Sequence, residues 1–163
     1  MNGKCHFVFG AATAASATMI IGPSIPGGIL LISTCLLGSQ FPDIDRADSG
    51  IRKKTAPVST ALAKILKKTG YSGFVHRGIF HDIALYLIGV LISWYFTQYL
   101  LGFFIGCVSH TLLDGFTPFG VPVFFGKGQL RIAKFDGNDI PALILTWVIS
   151  ILMIGITIWY RYL

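Results

Sequence analysis

Histidine and aspartate supply most of the side chains in this sequence that could take part in chemistry. There are four histidines and seven acidic residues, and every acidic residue is an aspartate. Imidazole and carboxylate groups together are ligands for zinc and related divalent metals. Many of these groups fall in four short blocks, which are His6, then Asp43 with Asp45, then His76, His81 and Asp82, and finally His110 with Asp114. The four blocks together predict a metal or catalytic cluster.

The spacing inside the blocks supports this prediction. His110 and Asp114 are four residues apart, so on a helix they share one face. An extended backbone at Asp43 and Asp45 would point both carboxylates the same way. A bend at Gly78, between the second and third histidines, could turn both of those rings inward.

The number of candidate ligands bears on the number of ions. The four blocks contain more groups than the four ligands of one structural zinc. We therefore expect a divalent metal cofactor of one to three ions, with zinc the first choice and manganese or magnesium as alternatives. A site with two metals suits in-line attack on a phosphoester.

The surrounding sequence is that of a membrane protein. Hydrophobic residues make up 53% of the chain, mean hydropathy is +0.70, and charged residues make up 12%, about half of what a soluble domain carries. We predict an all-α membrane protein formed by one multi-spanning domain, residues 1–163, with about five hydrophobic helices. The hydrophobic segments are Phe7–Ile21, Gly27–Phe41, Ile83–Phe96, Tyr99–Leu113 and Ile140–Tyr160.

Several of these segments are short for a membrane span. Only the last reaches the ~20 residues that cross a hydrocarbon core unaided. The others need polar extensions, local thinning of the bilayer or a re-entrant arrangement. The break of Thr97 and Gln98 between the third and fourth segments predicts a tight helical hairpin.

The basic residues predict the orientation. If the five segments alternate across the membrane, Lys4, the loop 42–82 and the loop 117–139 share one side. That side carries twelve of the thirteen basic residues, and Arg161 alone lies on the other. The positive-inside rule makes the richer side cytoplasmic. The orientation of the chain in the membrane also accounts for the net charge of +6. A nucleic-acid partner is not expected, because no stripe of base-stacking aromatic residues accompanies the charges.

Two further segments carry expectations. Residues 56–69 read as a short amphipathic helix lying on the cytoplasmic leaflet, where its lysines would contact anionic lipid headgroups. Lys4 and the alanine-rich run after it offer an alternative interpretation as a signal peptide, whose cleavage would remove His6.

The blocks also resemble a known family. The matching stretches are His6-Phe7-Val8-Phe9, Phe41-Pro42-Asp43-Ile44-Asp45, His76-Arg77-Gly78-Ile79-Phe80-His81-Asp82, Ser109-His110-Thr111-Leu112-Leu113-Asp114 and Thr117-Pro118-Phe119-Gly120-Val121-Pro122. In order and spacing, over nearly the whole chain, they are similar to inner-membrane-bound, metal-dependent hydrolases, also described as SOS-repressor-regulated membrane-associated hydrolases.

This resemblance implies a bacterial inner-membrane location, a bound metal and hydrolase chemistry. It places metal or catalytic roles on His6, Asp43, Asp45, His76, His81, His110 and Asp114, with Arg77 in the same block. The family block usually reads H-R-G-x-T-H-S, whereas Phe80 and Asp82 replace the Thr and Ser here. The family often has a Glu after a Gly-Asn pair in the last loop, where this chain has Asp139.

The leading hypothesis is therefore a metal-dependent hydrolase acting on a lipid or lipid phosphate at the cytoplasmic face, with membrane lipids as partners. Asp45 or Asp82 would be the general base. Arg77, with Arg131 or Lys134, would neutralise developing phosphate charge. A metal-ion transporter and a non-enzymatic membrane adaptor with a structural metal are the alternatives, because histidines and aspartates also line ion paths.

Overall fold

The computed structural model describes residues 3–45, 78–124, 127–135 and 140–162, with Asp45, Gln98 and Tyr99 described by their backbone alone. The predicted amphipathic helix at 56–69 lies outside the described residues, as do His76 and Arg77.

The described chain is helical, which confirms the predicted fold class. Its five α-helices are α1 (Gly3–Ile21), α2 (Ile25–Gly38), α3 (Ile83–Phe96), α4 (Gln98–Gly115) and α5 (Ile140–Tyr162). There are two short 3-10 helices: Phe41–Asp45 follows α2, and Ile79–His81 precedes α3. Each predicted hydrophobic segment therefore corresponds to one α-helix.

Polar ends lengthen two of the helices, as the short apolar segments required. Helix α1 begins at Gly3, ahead of its apolar run, and α4 continues past His110 to Gly115. By length and composition, α1 with 19 residues and α5 with 23 residues can each cross a membrane. The polar first turn of α1 thus brings a second segment close to the ~20 residues that a span needs.

Helix α4 lies at the centre of the bundle and packs against α1, α2 and α3, whereas α5 packs against α1. Small residues allow the close approach of α4 and α2. A Cβ atom at Gly106 would overlap the Cys35 carbonyl oxygen, and one at Gly102 would overlap the Leu31 carbonyl oxygen. The Gly102-x-x-x-Gly106 pattern therefore forms a helix-packing face, as is common in membrane proteins.

The hairpin between α3 and α4 is as tight as predicted. Thr97 alone separates the two helices; its backbone is extended, and its N–H donates to the Ser93 carbonyl at 2.8 Å. Large apolar side chains on the outer surfaces of α3 and α5 are exposed, among them Trp94, Ile151 and Trp159. Contact with lipid explains a surface of this kind, which a soluble monomer rarely shows.

A small β-hairpin, which the sequence interpretation did not include, lies within the loop 117–139. Strands β1 (Val121–Val123) and β2 (Gly128–Leu130) pair antiparallel, with Val121 opposite Leu130. After β2, the Ile132 N–H donates to the Gly115 carbonyl at 2.7 Å. The hairpin therefore folds back onto the C-terminal end of α4 and covers carbonyls that a helix end leaves without a partner in the helix.

Candidate metal centre

Five of the predicted site residues meet at one end of the bundle. His6 comes from the start of α1, Asp43 from the 3-10 helix after α2, His81 from the turn before α3, and His110 and Asp114 from the last turns of α4. All five are buried. Titratable side chains are costly to bury, so their gathering in an apolar bundle requires compensation within the cluster.

Four of these side chains place one atom each at the corners of a quadrilateral. Nε2 of His81 lies 3.9 Å from Oδ1 of Asp43 and 3.6 Å from Oδ2 of Asp114. Nε2 of His110 lies 3.7 Å from each of the same two oxygens. The i,i+4 spacing on α4 therefore does what the sequence predicted, since it directs His110 and Asp114 to one point.

His6 meets the same cluster from a different side. Its ring stacks on that of His110, with centroids 3.6 Å apart and planes 9° from parallel. Its Nε2 lies 3.3 Å from Oδ1 of Asp114, which is the other oxygen of that carboxylate. Asp114 thus has one oxygen close to His6 and the other close to His81 and His110.

The orientation of His110 is fixed by the end of α2. A helix leaves its last carbonyls without partners in the helix, and the Ser39 carbonyl at the C-cap lies 2.7 Å from Nδ1 of His110. A carbonyl oxygen only accepts, so Nδ1 carries the proton and donates it. In the neutral ring, the lone pair is then on Nε2, which faces the two carboxylates.

Asp43 is positioned by a 3-10 helix, so the predicted extended backbone at Asp43–Asp45 is wrong. Residues two apart lie about 240° apart around a helix with three residues per turn, and a common direction for the two carboxylates therefore has no backbone basis. Phe41 at the start of this turn packs edge-on against Phe80 and Phe103. These contacts join the turn to α4 and to the turn that carries His81.

His81 is held between two fixed points. Before it, the Phe80 carbonyl accepts from the Tyr86 hydroxyl at 2.6 Å. After it, Asp82 is the N-cap of α3, and its Oδ1 accepts from the Ala84 N–H at 3.0 Å. The Asp-for-Ser replacement at this position of the block thus has a capping role, because aspartate is among the best N-cap residues.

The cluster fits a divalent metal in donor type and spacing. Nε2 of His110 is buried and has no hydrogen-bond partner among the described residues; such an atom costs about 1–3 kcal/mol, unless something else binds it. Two triads have ligand atoms within 4.8 Å of one another, His6 with Asp43 and His110, and His81 with His110 and Asp114. In a tetrahedral zinc site, ligand atoms are about 3.4 Å apart, so the separations of 3.6–3.9 Å around the quadrilateral need to contract by a few tenths of an ångström.

With this geometry established, comparison with known proteins places the chain. A family model described as YdjM inner membrane protein matches residues 1–162. The chain belongs to this family. No solved structure matches it.

Individual relatives of this YdjM-family chain come from different bacteria. It is 30% identical over 138 residues to the inner membrane protein YdjM of Escherichia coli (strain K12), covering 77% of this chain and 65% of the relative. It is also 30% identical over 131 residues to uncharacterized protein YvsG of Bacillus subtilis (strain 168), covering 77% of this chain and 73% of that one. The chain therefore spans less than two thirds of the length of the first of these relatives.

These names confirm a membrane protein but state no reaction. The resemblance to inner-membrane hydrolases is thus confirmed for the membrane family, and hydrolysis stays a prediction. The same holds for the predicted site residues that the structure does not place, namely His76 and Arg77, the side chain of Asp45, and Asp139. Arg131 and Lys134 are described and exposed beyond the β-hairpin.

Sequence reasoning missed the residues that support the cluster. Ser39 acts through its backbone carbonyl, which leaves no trace in residue type. Gly10 allows α1 to approach it, because a Cβ there would lie against the Ser39 side chain. Gly10 was the available signal, because a glycine permits the close approach of another segment. It does not indicate which carbonyl of that segment contacts the cluster.

Proposed function

We propose that this protein is a divalent-metal-dependent hydrolase of the inner membrane, acting on a lipid or lipid phosphate at the cytoplasmic face. The observation that carries the proposal is the convergence of three imidazoles and two carboxylates from four separate chain segments at one buried point. Buried titratable groups in membrane proteins usually mark function.

The residues that would hold the metal are those of the quadrilateral, His81, His110, Asp43 and Asp114. When bound, a divalent metal polarises a phosphoryl or acyl oxygen and lowers the pKa of a bound water molecule. The chain itself supplies a rigid and largely apolar setting. It fixes the ring of His110 through the Ser39 carbonyl, and it holds His81 between a hydrogen-bonded carbonyl and a helix cap.

The cytoplasmic placement follows from the charges. The cluster joins the N-terminal end of α1 to the C-terminal ends of α2 and α4, so it lies at one end of the bundle. The loops 42–82 and 117–139 connect at this end and, with Lys4, carry twelve of the thirteen basic residues. By the positive-inside rule, this distribution of charge supports a position for the cluster at the cytoplasmic side of the membrane.

A lipid substrate is supported by the surface around the β-hairpin. Phe119 and Phe124 are exposed there, and so are Lys127, Arg131 and Lys134. Aromatic and cationic side chains together are typical of a surface that contacts the headgroup region and attracts anionic lipid. A lipid phosphate approaching from the bilayer would meet these residues close to the end of α4.

Two further roles belong to this proposal. Arg77 would stabilise negative charge on the phosphoryl group, and Asp45 would act as general base. Asp82, the other candidate base, is buried and uses one oxygen to cap α3. A structural role is therefore the simpler assignment for Asp82, and Asp45 is the better candidate for proton transfer.

The test uses the full-length protein in lipid nanodiscs. Metal content is measured by elemental analysis, and release of phosphate and of fatty acid is followed with phosphatidic acid and with neutral phospholipids, before and after chelation. We expect metal-dependent hydrolysis that is lost in Asp43→Ala and retained in Thr157→Ala, a buried substitution on α5 away from the cluster.

Other outcomes would identify the alternatives. Metal-loaded protein that hydrolyses none of these lipids contradicts the proposed reaction. Metal flux into proteoliposomes would then indicate a transporter. If there is neither flux nor hydrolysis, and a cytoplasmic protein binds in a manner that depends on residues 52–69, the result would indicate an adaptor with a structural metal.

A further inference from the structure

We infer that the described cluster binds a single metal ion through His81, His110, Asp43 and Asp114, and that His6 is a positioning residue for Asp114 rather than a ligand of that ion. This inference rests on the metal centre of the proposed function, and it assigns a different role to one of the three histidines.

The two nitrogen atoms of His110 limit the number of ions that the described cluster can hold. Both triads with metal-ligand spacing include His110, so two ions held by the two triads would need two nitrogen ligands from one ring. Nδ1 donates to the Ser39 carbonyl at 2.7 Å. Only Nε2 is then available, and one imidazole lone pair binds one ion. The two triads are therefore alternatives, not two simultaneous sites.

The planes of the histidine rings decide which of them can bind the same ion. An imidazole lone pair lies in the plane of its ring, so a bound metal lies close to that plane. The rings of His6 and His110 are nearly parallel, with an angle of 9° and centroids 3.6 Å apart, and carbon contact keeps such planes about 3.5 Å apart. An ion in the plane of one ring is then far out of the plane of the other.

The triad of His6, Asp43 and His110 therefore satisfies the distances between ligands but not the direction of the lone pairs. His81 and His110 satisfy both. Their planes meet at 66° with centroids 5.3 Å apart, so in-plane lone pairs from both rings can point to one position. That position lies among the four atoms whose neighbouring separations are 3.6–3.9 Å.

The two oxygens of Asp114 face different histidines. Oδ2 faces His81 and His110, while Oδ1 lies 3.3 Å from Nε2 of His6. Nε2 of His6 makes no hydrogen bond of good geometry with the described residues, so its approach to Oδ1 is a close polar contact. A donor beside the far oxygen of a ligating carboxylate orients that carboxylate, and such outer partners are common around metal ligands. His6 also stacks on the ring of His110, so it contacts both ligands that α4 supplies.

The experiment measures metal binding without any turnover assay. The full-length protein in detergent is titrated with Co²⁺, followed by its visible absorption, and bound zinc is counted by elemental analysis. We expect one ion whose binding depends on His110, which both triads of the described residues include. His6→Phe, which keeps a ring to stack but removes the N–H, should retain one ion with about 10–100-fold weaker affinity and an unchanged Co²⁺ spectrum.

Two comparison variants separate positioning from ligation. His6→Asn restores an N–H donor and should recover most of the affinity lost in His6→Phe. His81→Gln removes a ligand and should alter the Co²⁺ spectrum as well as weakening binding by more than the His6 variants do. X-ray absorption should count the same number of nitrogen ligands in wild type and His6→Phe, and one fewer in His81→Gln.

Several results would overturn the inference. Two ions per wild-type chain that are both lost in His110→Ala would do so, because both triads among the described residues include His110. A changed spectrum or a lower nitrogen count in His6→Phe would make His6 a ligand. A protein that binds no ion would overturn this inference and the proposed function together. One ion, an unchanged His6→Phe spectrum and no lipid hydrolysis would support the inference and contradict only the proposed reaction.

Discussion

Helices α4 and α5 are both apolar helices with buried polar residues, but they use those residues differently. Helix α4 buries His110 and Asp114, which face side chains from three other segments. Helix α5 buries Thr146, Ser150 and Thr157 on its face toward α1. The threonine hydroxyls donate to carbonyls of their own helix, four residues earlier, at 2.8 Å.

The glycines of the two helices differ in the same way. Gly106 of α4 lies so close to α2 that a Cβ would overlap backbone atoms, whereas nothing lies within 4 Å of a Cβ at Gly155 of α5. Helix α4 therefore depends on its neighbours for its packing and for contacts to His110 and Asp114, while the buried threonines of α5 bond within their own helix. Burial of a polar residue alone thus does not mark a site; polar groups that depend on other segments do.

The largest expected effect comes from replacing one buried polar residue on each helix. His110→Ala removes a metal ligand and should weaken metal binding by more than the ~100-fold that outer partners typically contribute. Thr146→Ala is equally buried, but it removes a hydroxyl bonded within its own helix and should leave metal affinity unchanged. Elemental analysis and Co²⁺ titration compare the two variants. An equal loss of metal affinity in both would contradict the difference between the helices.

A second pair replaces one glycine on each helix. Gly106→Ala forces α4 away from Cys35 and Ser39, and overpacking of this kind typically costs about 1–3 kcal/mol. Because the Ser39 carbonyl orients His110, metal affinity should fall as well. Gly155→Ala should be neutral or stabilise by up to ~1 kcal/mol through helix propensity. Unfolding in detergent measures stability; no difference between the variants would contradict the close packing of α2 and α4.

Variants of Asp82 test whether this residue takes part in the reaction or only caps α3. As the N-cap of α3 it should tolerate Asp82→Asn, because asparagine caps equally well, whereas Asp82→Ala should cost about 0.5–2 kcal/mol. Metal binding should persist in both variants. Loss of hydrolysis in Asp82→Asn with stability intact would instead make Asp82 the general base.

The smallest effects are expected at the buried serines. The Ser150 hydroxyl on α5 has no hydrogen bond among the described residues, so Ser150→Ala should be neutral or slightly stabilising. Ser109 on α4 donates to the Gly106 carbonyl at 2.8 Å, and Ser109→Ala should cost up to about 1 kcal/mol. Thermal unfolding in detergent compares the two; a larger loss for Ser150→Ala would reveal a partner for its hydroxyl.

Much of the fold could be predicted from the sequence, because a bilayer imposes strict rules. Long apolar runs must be helical in order to satisfy their own backbone groups, so the five helices and the hairpin at Thr97 followed directly. The i,i+4 pair on α4 was also predictable, since a helix fixes the direction of its side chains. The 3-10 helix at Asp43 was not, because its five residues are too few to show a periodicity.

The sequence by itself determined which residues could form the cluster and that they lie at helix ends, and it predicted that those ends share one side. Local rules are enough for this, since helix periodicity and the distribution of positive charge are properties of short segments. Only the tertiary structure decided which role each of the five side chains has in the cluster. The stacking of His6 on His110, the two faces of the Asp114 carboxylate and the Ser39 carbonyl on Nδ1 are contacts between distant segments. They depend on how closely α1, α2 and α4 pack, which no single segment encodes.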